Sequence, residues 1–215
     1  MANTNTVVNK PSSTIGVDKY TFFKVDKDTA TELTYGDGYT LPGMVQITPT
    51  DSGNSDTFDA DNNAYEVSTY IEKPGHDIEN ADIPPEVDAM WRGLKMDEVG
   101  GVAVDNKTEA PYFGVAWRTL HNDGSYRYFR TYKGKYSFAS NVGGKTKPSS
   151  GSIDHQTAKA TFTTVATDHD GALYYVIDDT KLTAEGKAEI ATKWFEDMKY
   201  KPTAEQLKKE QSQTV

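Results

Sequence analysis

The chain contains no cysteine among its 215 residues. This absence excludes disulfide bonds, zinc sites built from thiolates and a cysteine nucleophile. It does not identify a cellular compartment, because many chains in reducing surroundings also lack cysteine.

The sequence also lacks long apolar runs and an excess of basic residues. No stretch approaches the roughly 18 apolar residues of a membrane span, and the start, MANTNTVVNKPSSTIG, has no apolar run suited to a signal peptide. The chain has 32 Asp and Glu against 23 Lys and Arg, a formal net charge of -9. We therefore expect a soluble chain without membrane contact, and its acidity disfavours a basic surface for nucleic-acid phosphates.

Aromatic residues are plentiful, with 13 Tyr, 8 Phe and 3 Trp. Such a composition favours a β-rich, aromatic core. Apolar residues predict a strand over residues 17–25 and another through Met44 to Ile47, separated by turn residues around Gly36 to Pro42. The chain is thus predicted to be mainly β.

Two segments carry helix signals. In NADIPPEVDAMWRGLKMD, proline begins the predicted helix and four residues form one apolar face: Val87, Met90, Trp91 and Leu94. Near the C-terminus, Thr183 can cap a helix that Pro202 ends. The apolar positions predicted for that helix are Ala184, Ala188, Ala191, Phe195 and Met198.

A hairpin is predicted where HNDG separates PYFGVAWRTL from SYRYFRTYKGKYSF. Alternation along the second strand places Tyr126, Tyr128 and Tyr132 on one face and Arg127, Phe129 and Lys133 on the other. Because neither face is purely apolar, we expect another subunit to cover this ribbon. TAKATFTTVAT and GALYYVID are predicted to form a final strand pair around DHDG.

Composition divides the chain into one domain and polar flanking segments. Residues 1–13 are rich in Asn, Thr and Ser and predict a flexible N-terminal arm, followed by a single β domain over 14–201. Residues 139–152, with Gly and Ser, predict a flexible loop within the domain, and 202–215 predict a polar C-terminal tail. We expect the arm and the loop to become ordered on neighbouring subunits.

The stretch TFDADNNAYEV resembles the start of a calcium loop, with Asp59, Asp61 and Asn63 at alternate positions. An EF-hand loop counted from Asp59 needs Gly and Glu where this chain has Ala64 and Tyr70. A polar turn between two strands explains the same residues. The turn is therefore our prediction, and a weak cation site near Asp59 and Asp61 stays open as the alternative.

Other candidate sites are weaker still. The four histidines are scattered among turns, and His169 between Asp168 and Asp170 is better explained by a solvated turn than by a metal. VGGKTKPSSG lacks the spacing of a phosphate-binding loop, and no GxSxG or GxGxxG pattern occurs. We assign no catalytic, cofactor-binding or metal-binding residues, and predict neither a cofactor nor enzymatic activity.

The order of several segments along the chain resembles that of a known family, although no single motif is specific to it. Over about residues 15–200 the chain resembles the major tail protein (tail tube protein) family of long, non-contractile-tailed phages, the siphophages, of Gram-positive bacteria. The segments that carry it are YGDGYTLPGMVQITPT, TFDADNNAYE, IENADIPPEVDAMWRGLKMDEVGGV, APYFGVAWRTLHNDGSYRYFRTYKGKYSF, GKTKPSSGSIDHQTAKATFT and KWFEDM.

The resemblance implies a β-sandwich or partial barrel with a short flanking α-helix and a C-terminal α-helix. It implies a structural subunit of the virion that assembles, after synthesis in the host cytoplasm, into hexameric rings stacked as a tube. The implied partners are further copies of the chain, a tape-measure protein, and tail terminator and distal tail proteins. Double-stranded DNA would pass through the lumen during ejection without specific binding.

Two other classes stay open. A β-sandwich module that binds carbohydrate or a receptor fits the Tyr and Trp content and would expose an aromatic platform on a monomer. A carboxylate-dependent glycosidase would show a deep pocket holding two acids of shifted pKa.

Overall fold

The structure, a computed structural model, describes residues 11–51, 53–71, 74–104, 108–138, 144–147, 149–151 and 155–208. Its helices are α1 (Pro85–Arg92) and α2 (Ala184–Lys193), with short 3-10 turns at Asp179–Lys181 and Ala204–Gln206. Its strands are β1 (Thr14–Thr29), β2 (Glu32–Leu41), β3 (Met44–Pro49), β4 (Gly53–Ala60), β5 (Asn63–Ile71), β6 (Gly75–Asn80), β7 (Phe113–His121), β8 (Tyr126–Phe138), β9 (Ala158–Thr164) and β10 (Tyr174–Asp178). The prediction of a mainly β fold is confirmed.

Eight strands form one antiparallel sheet. Their order is β2-β1-β7-β8-β9-β6-β3, and β10 pairs with β8 outside this path. The sheet curls strongly, since Tyr20 on β1 hydrogen-bonds His76 on β6 although three strands separate β1 from β6 in that order. The curl brings β3 against β1 and gives a partly closed barrel.

An aromatic core fills the inside of the curl. Trp91 of α1 stacks on Tyr136 with 3.9 Å between ring centroids, and Phe22 meets Trp91 edge-on. The other large buried members include Tyr20, Ile78, Phe113, Val115, Trp117 and Phe162. This is the aromatic interior that the composition predicts.

A second apolar layer lies between the outside of the sheet and the C-terminal segment. Phe22 belongs to the inner core and its neighbour Phe23 to this outer layer, as the period of two along a strand requires. The buried members of the outer layer are Phe23, Ala116, Tyr128, Leu182, Ile190, Trp194 and Met198. Apolar packing on both faces of the sheet makes the fold sandwich-like, as expected.

Arg130 of β8 binds the segment of residues 194–200, which follows α2, to the sheet. It is fully buried, and its guanidinium lies 3.9 Å from the ring of Trp194. It donates hydrogen bonds to the backbone carbonyls of Trp194, Asp197 and Tyr200, at 3.1, 3.0 and 2.6 Å. Burial lowers the pKa of Arg130 to about 10, so the side chain stays charged at neutral pH while it satisfies carbonyls that follow a helix.

Helix α1 forms as predicted. Pro85 begins it, and Gly93 ends it at a φ of 70°, a left-handed conformation that glycine adopts without steric cost. Trp91 is fully buried, and Val87 and Met90 pack against the inner core. Three of the four predicted apolar residues therefore point at the interior of the curl, whereas Leu94 lies beyond the end of the helix.

Helix α2 begins as predicted, but it ends at Lys193 rather than near Pro202, and its buried face differs from the prediction. The Thr183 hydroxyl accepts a hydrogen bond from Gly186 N at 3.2 Å, which is the expected cap. Gly186 and Ile190 are buried, whereas Ala184 and Ala188 are exposed. The predicted apolar face consisted largely of alanines. The buried face instead includes Gly186, because a Cβ at this position would lie only 2.9 Å from the carbonyl oxygen of Gln206 and would prevent the close packing of the two segments. No helix of the described ranges has both the length and the apolarity to cross a bilayer.

The predicted final strand pair is wrong. Instead of pairing with each other, β10 pairs with Arg127–Thr131 of β8 and β9 pairs with Gly134–Phe138 of the same strand. One long strand thus carries two short strands along one edge. The closeness of β9 and β10 in sequence favoured a hairpin between them. Because β8 is long, however, each of the two strands pairs with a different part of it.

The buried tyrosines of the β8 ribbon do not depend on another subunit for cover, contrary to the expectation. Tyr128, Tyr132 and Tyr136 are 1, 8 and 3% exposed, covered by residues of the same chain. The hairpin itself forms as predicted, with Gly124 in the turn at a φ of 81°.

The predicted N-terminal arm is partly anchored. Residues 1–10 lie outside the described residues, but Ser12 and Ser13 bind the turn between β7 and β8. Asn122 N donates to Ser13 O at 2.8 Å, and Asp123 N donates to the hydroxyl of Ser12 at 3.1 Å. The predicted arm therefore extends too far along the chain, because Ser12 and Ser13 belong to the domain.

The predicted tail begins too early. Thr183 N donates to Gln206 O at 2.8 Å, and Lys208 N donates to Lys181 O at 2.9 Å. Leu182 and Leu207 form an isolated bridge between the same segments. The domain therefore extends at least to Lys208, and residues 209–215 lie outside the described residues.

Candidate interaction surface

Strands β4 and β5 form a hairpin that is a sheet of its own. Its two turn residues, Asp61 and Asn62, have φ values of 51° and 61°. Two consecutive left-handed residues match the twist of paired strands, and Asp and Asn tolerate this conformation best after glycine. The predicted polar turn is confirmed.

The hairpin presents large apolar side chains to solvent. Phe58 is 63% exposed, Tyr65 74% and Val67 59%. The Phe58 and Tyr65 rings meet edge-on at 6.4 Å, which places an aromatic pair near the tip. Because a two-stranded hairpin alone is marginally stable in water, an exposed aromatic pair on one indicates a contact surface.

The hairpin is also acidic throughout. Residues 53–71 include four acidic residues and no Lys or Arg: Asp56, Asp59, Asp61 and Glu66. These charges keep an apolar hairpin in solution and repel other acidic surfaces at low salt.

The candidate metal ligands do not assemble. In the part of the chain that the structure describes, no group of three or more His, Asp or Glu side chains has the arrangement of a metal site. Asp61 instead holds the turn, where its carbonyl accepts a hydrogen bond from Asn63 Nδ2 at 3.2 Å.

Asp168 pairs with Lys133 at 3.0 Å, and His169 joins the same cluster only through its backbone N–H. The Asp28 carboxylate accepts a hydrogen bond from Lys133 Nζ at 2.7 Å. It also accepts hydrogen bonds from the backbone N–H groups of Asp168 and His169, at 2.9 and 3.1 Å. Burial alone would raise the pKa of Asp28, but these donors hold it below its ordinary value of 3.8. The arrangement ties the turn before β10 to β1 and β8.

The loop suspected of anion binding is only partly described. Residues 139–143, 148 and 152 of the predicted flexible loop lie outside the described residues. Within the described part, Gln156 closes the loop by accepting Lys145 N at 2.7 Å. This bond stabilises the loop without forming a phosphate cradle.

A groove of about 90 Å³ opens at the base of the hairpin. Trp117 and Phe129 stack at 5.2 Å along its floor, and Tyr174 and Val176 of β10 line one side. Pro49 and Gly75, where the hairpin leaves the sheet, line another. Sequence reasoning missed this groove because six strands, most of them distant in sequence, form it.

Strand β10 leaves one edge without a described partner. Tyr132 N donates to Leu173 O, and the register pairs Tyr174 with Thr131. Because hydrogen bonding alternates along an antiparallel ladder, the peptide groups of Tyr174 and Val176 face away from β8. Among the described strands β8 is the one neighbour of β10. The groove thus combines an apolar floor with an open strand edge.

No model of a known protein family matches the chain, and a search of curated proteins found no match. What the geometry defines is a class: an antiparallel β domain with a projecting aromatic hairpin and a strand-edged groove.

Proposed function

We propose that this chain is the structural subunit of a phage tail tube, without enzymatic activity. In this proposal it assembles into rings, expected to be hexameric, that stack into the conduit for DNA ejection. Its site of action is the virion, after assembly in the host cytoplasm. Its partners are further copies of itself, a tape-measure protein, and tail terminator and distal tail proteins.

The projecting hairpin carries the proposal. It leaves Phe58, Tyr65 and Val67 exposed on a two-stranded sheet that the rest of the described chain does not incorporate. Such an element gives a subunit an apolar surface that neighbouring copies can cover.

Open strand edges support the same conclusion. In the described sheet β2 pairs with β1 alone and β3 with β6 alone, and β10 has an edge of its own. Unpaired edges are sites where one chain adds to another. Several edges on one subunit permit contacts in more than one direction, as a tube of stacked rings needs.

The charge suits a conduit for DNA. Six copies of charge -9 sum to -54 per ring, from 6 × -9. Acidic walls repel phosphates, so DNA passes without specific binding.

The burial of the aromatics weakens the alternative of a carbohydrate- or receptor-binding module. The Tyr and Trp content of the sequence favoured a binding module. In the structure, however, Trp91, Trp117 and Trp194 are only 0, 7 and 0% exposed. Trp91 and Trp194 are enclosed in the two apolar layers, and Trp117 is nearly buried in the floor of the groove, so the tryptophans do not form a broad aromatic platform on the surface.

Electron microscopy of the concentrated protein, alone and with the other tail proteins of the same phage, tests the proposal. Rings or tubes with one repeating subunit are expected. Particles that stay monomeric in both samples, at concentrations up to about millimolar, would contradict it.

A further inference from the structure

We infer that the hairpin tip, Phe58 and Tyr65, of one copy docks in the groove beside β10 of a second copy. This contact rests on the proposed function and names the surfaces through which subunits meet. Phe58 or Tyr65 would lie over Trp117 and Phe129, beside the open edge of β10.

The tip cannot reach the groove of its own chain. Pro49 and Gly75, which line the groove, are also the base of the hairpin. Strand β4 has 8 residues. At about 3.3 Å per residue, it carries the tip roughly 26 Å away from that base. The ring pair and the groove therefore meet only between different copies.

The two surfaces match in chemistry. The groove offers a floor of stacked rings and, along Tyr174 and Val176, peptide groups that face away from β8. A projecting strand supplies both complements: aromatic side chains for the floor and backbone groups for the edge. A cavity of about 150 Å³ in another protein accepts benzene. The open groove of about 90 Å³ thus has room for most of one ring.

The contact is heterologous, because the tip of one copy meets a different surface of the next. Repetition of such a contact produces a closed ring or an open filament rather than a symmetric dimer. A tube needs this type of contact, and an isologous dimer interface would not extend.

One such contact is weak. At roughly 200 Å² per aromatic side chain, the exposed fractions of Phe58 and Tyr65 give on the order of 270 Å². A stable interface buries about 800 Å² on each partner. Association should therefore depend on several contacts forming together.

Charge sets a second condition. The hairpin carries four acids, and the groove wall includes Asp51. Like charges at the rim oppose docking, and salt screens them over a Debye length of about 8 Å at physiological ionic strength. Added salt should promote the contact, whereas a contact built on ion pairs would weaken.

The absence of cysteine allows a clean cross-linking test. One copy carries Ala64→Cys at the hairpin tip, and a second copy of different mass carries Val176→Cys on β10. The matched control pairs Ala64→Cys with Val45→Cys, an exposed valine (53%) on β3. A third mixture adds Phe58→Ala and Tyr65→Ala to the Ala64→Cys chain, and urea unfolding verifies that every variant folds.

Under mild oxidation, the Ala64→Cys and Val176→Cys copies should cross-link about tenfold faster than the control pair. The rate should fall to that of the control when Phe58 and Tyr65 are replaced, and it should rise with salt. Equal rates for the two pairs would overturn the contact. If microscopy of the same samples shows tubes while the rates are equal, the contact is wrong and the tube function stands. If neither tubes nor cross-links form, both are wrong.

Discussion

The Tyr20 hydroxyl lies 3.0 Å from Nε2 of His76, and both side chains are buried inside the curled sheet. The Tyr136 hydroxyl lies 3.0 Å from that of Tyr20 and extends the network. These contacts join β1, β6 and β8, strands far apart in the chain, so the network fixes how the sheet closes.

The network predicts a dependence of stability on pH. Burial lowers the pKa of His76 to about 3, whereas an unfolded histidine titrates near 6.5. Below 6.5 the unfolded state binds a proton that the folded state does not, so stability falls as pH decreases. Between pH 7 and pH 5 this one group should remove about 2 kcal/mol of unfolding free energy.

Urea unfolding at both pH values measures this loss. His76→Gln should be less stable at pH 7 but lose about 2 kcal/mol less on acidification. His155→Gln, which changes an exposed histidine, should keep the wild-type dependence. An unchanged slope for His76→Gln would mean that the pKa of His76 does not differ between the folded and unfolded states.

Arg130→Met should destabilise the domain by about 3–5 kcal/mol, because three backbone carbonyls lose a buried charged donor. Arg127→Met is the matched control. Arg127 pairs with Asp178 at 2.7 Å, but 41% of its side chain is exposed, so its loss should cost about 1 kcal/mol or less. Equal effects on the urea midpoint would contradict the anchoring role of Arg130.

Asp28→Asn should lower stability by about 1–3 kcal/mol at pH 7, because Lys133 loses the charge of its buried partner. Since the folded pKa of Asp28 lies below 3.8, the wild-type advantage is complete above that pH and disappears as pH falls through the folded value. The two proteins should therefore converge in thermal unfolding as the pH falls below about 4. Glu32→Gln, at an exposed ion pair, should show little effect, and a constant gap for Asp28→Asn would count against the proposed cause.

Replacing residues 53–71 with a short Gly-Asn-Gly loop should change the free energy of unfolding by no more than about 1 kcal/mol, because the hairpin is a separate sheet. Self-association should be lost. Asn62→Gly keeps the hairpin and its turn geometry, and it should assemble like the wild type. Normal tubes from the shortened chain would show that other surfaces suffice.

Calorimetric titration should detect no micromolar binding of calcium to the hairpin turn. Asp59 and Asp61 lack the bidentate acid and the glycine that an EF-hand loop supplies. Tight binding that Asp61→Asn abolishes would contradict this, since asparagine retains the left-handed turn.

Local features were predictable from the sequence, and distant pairings were not. A run of apolar, β-favouring residues located β1, the pattern Asp123-Gly124 located the β7–β8 turn, and Pro85 located α1. The pairing of both β9 and β10 with β8 depends on contacts between segments far apart in the chain. The buried face of α2 depends on Gly186 meeting the backbone of Gln206. The aromatics of the hairpin were visible in the sequence, but only the fold shows that they have no cover.

The outer apolar layer comes from the end of the chain, since Leu182, Ile190, Trp194 and Met198 cover Phe23, Ala116 and Tyr128. During synthesis the sheet strands leave the ribosome first. Until residues 182–198 follow, the outer face of the sheet is bare and available to chaperones or to unwanted aggregation. Synthesis of this segment therefore decides when a subunit can hide its outer face from other copies.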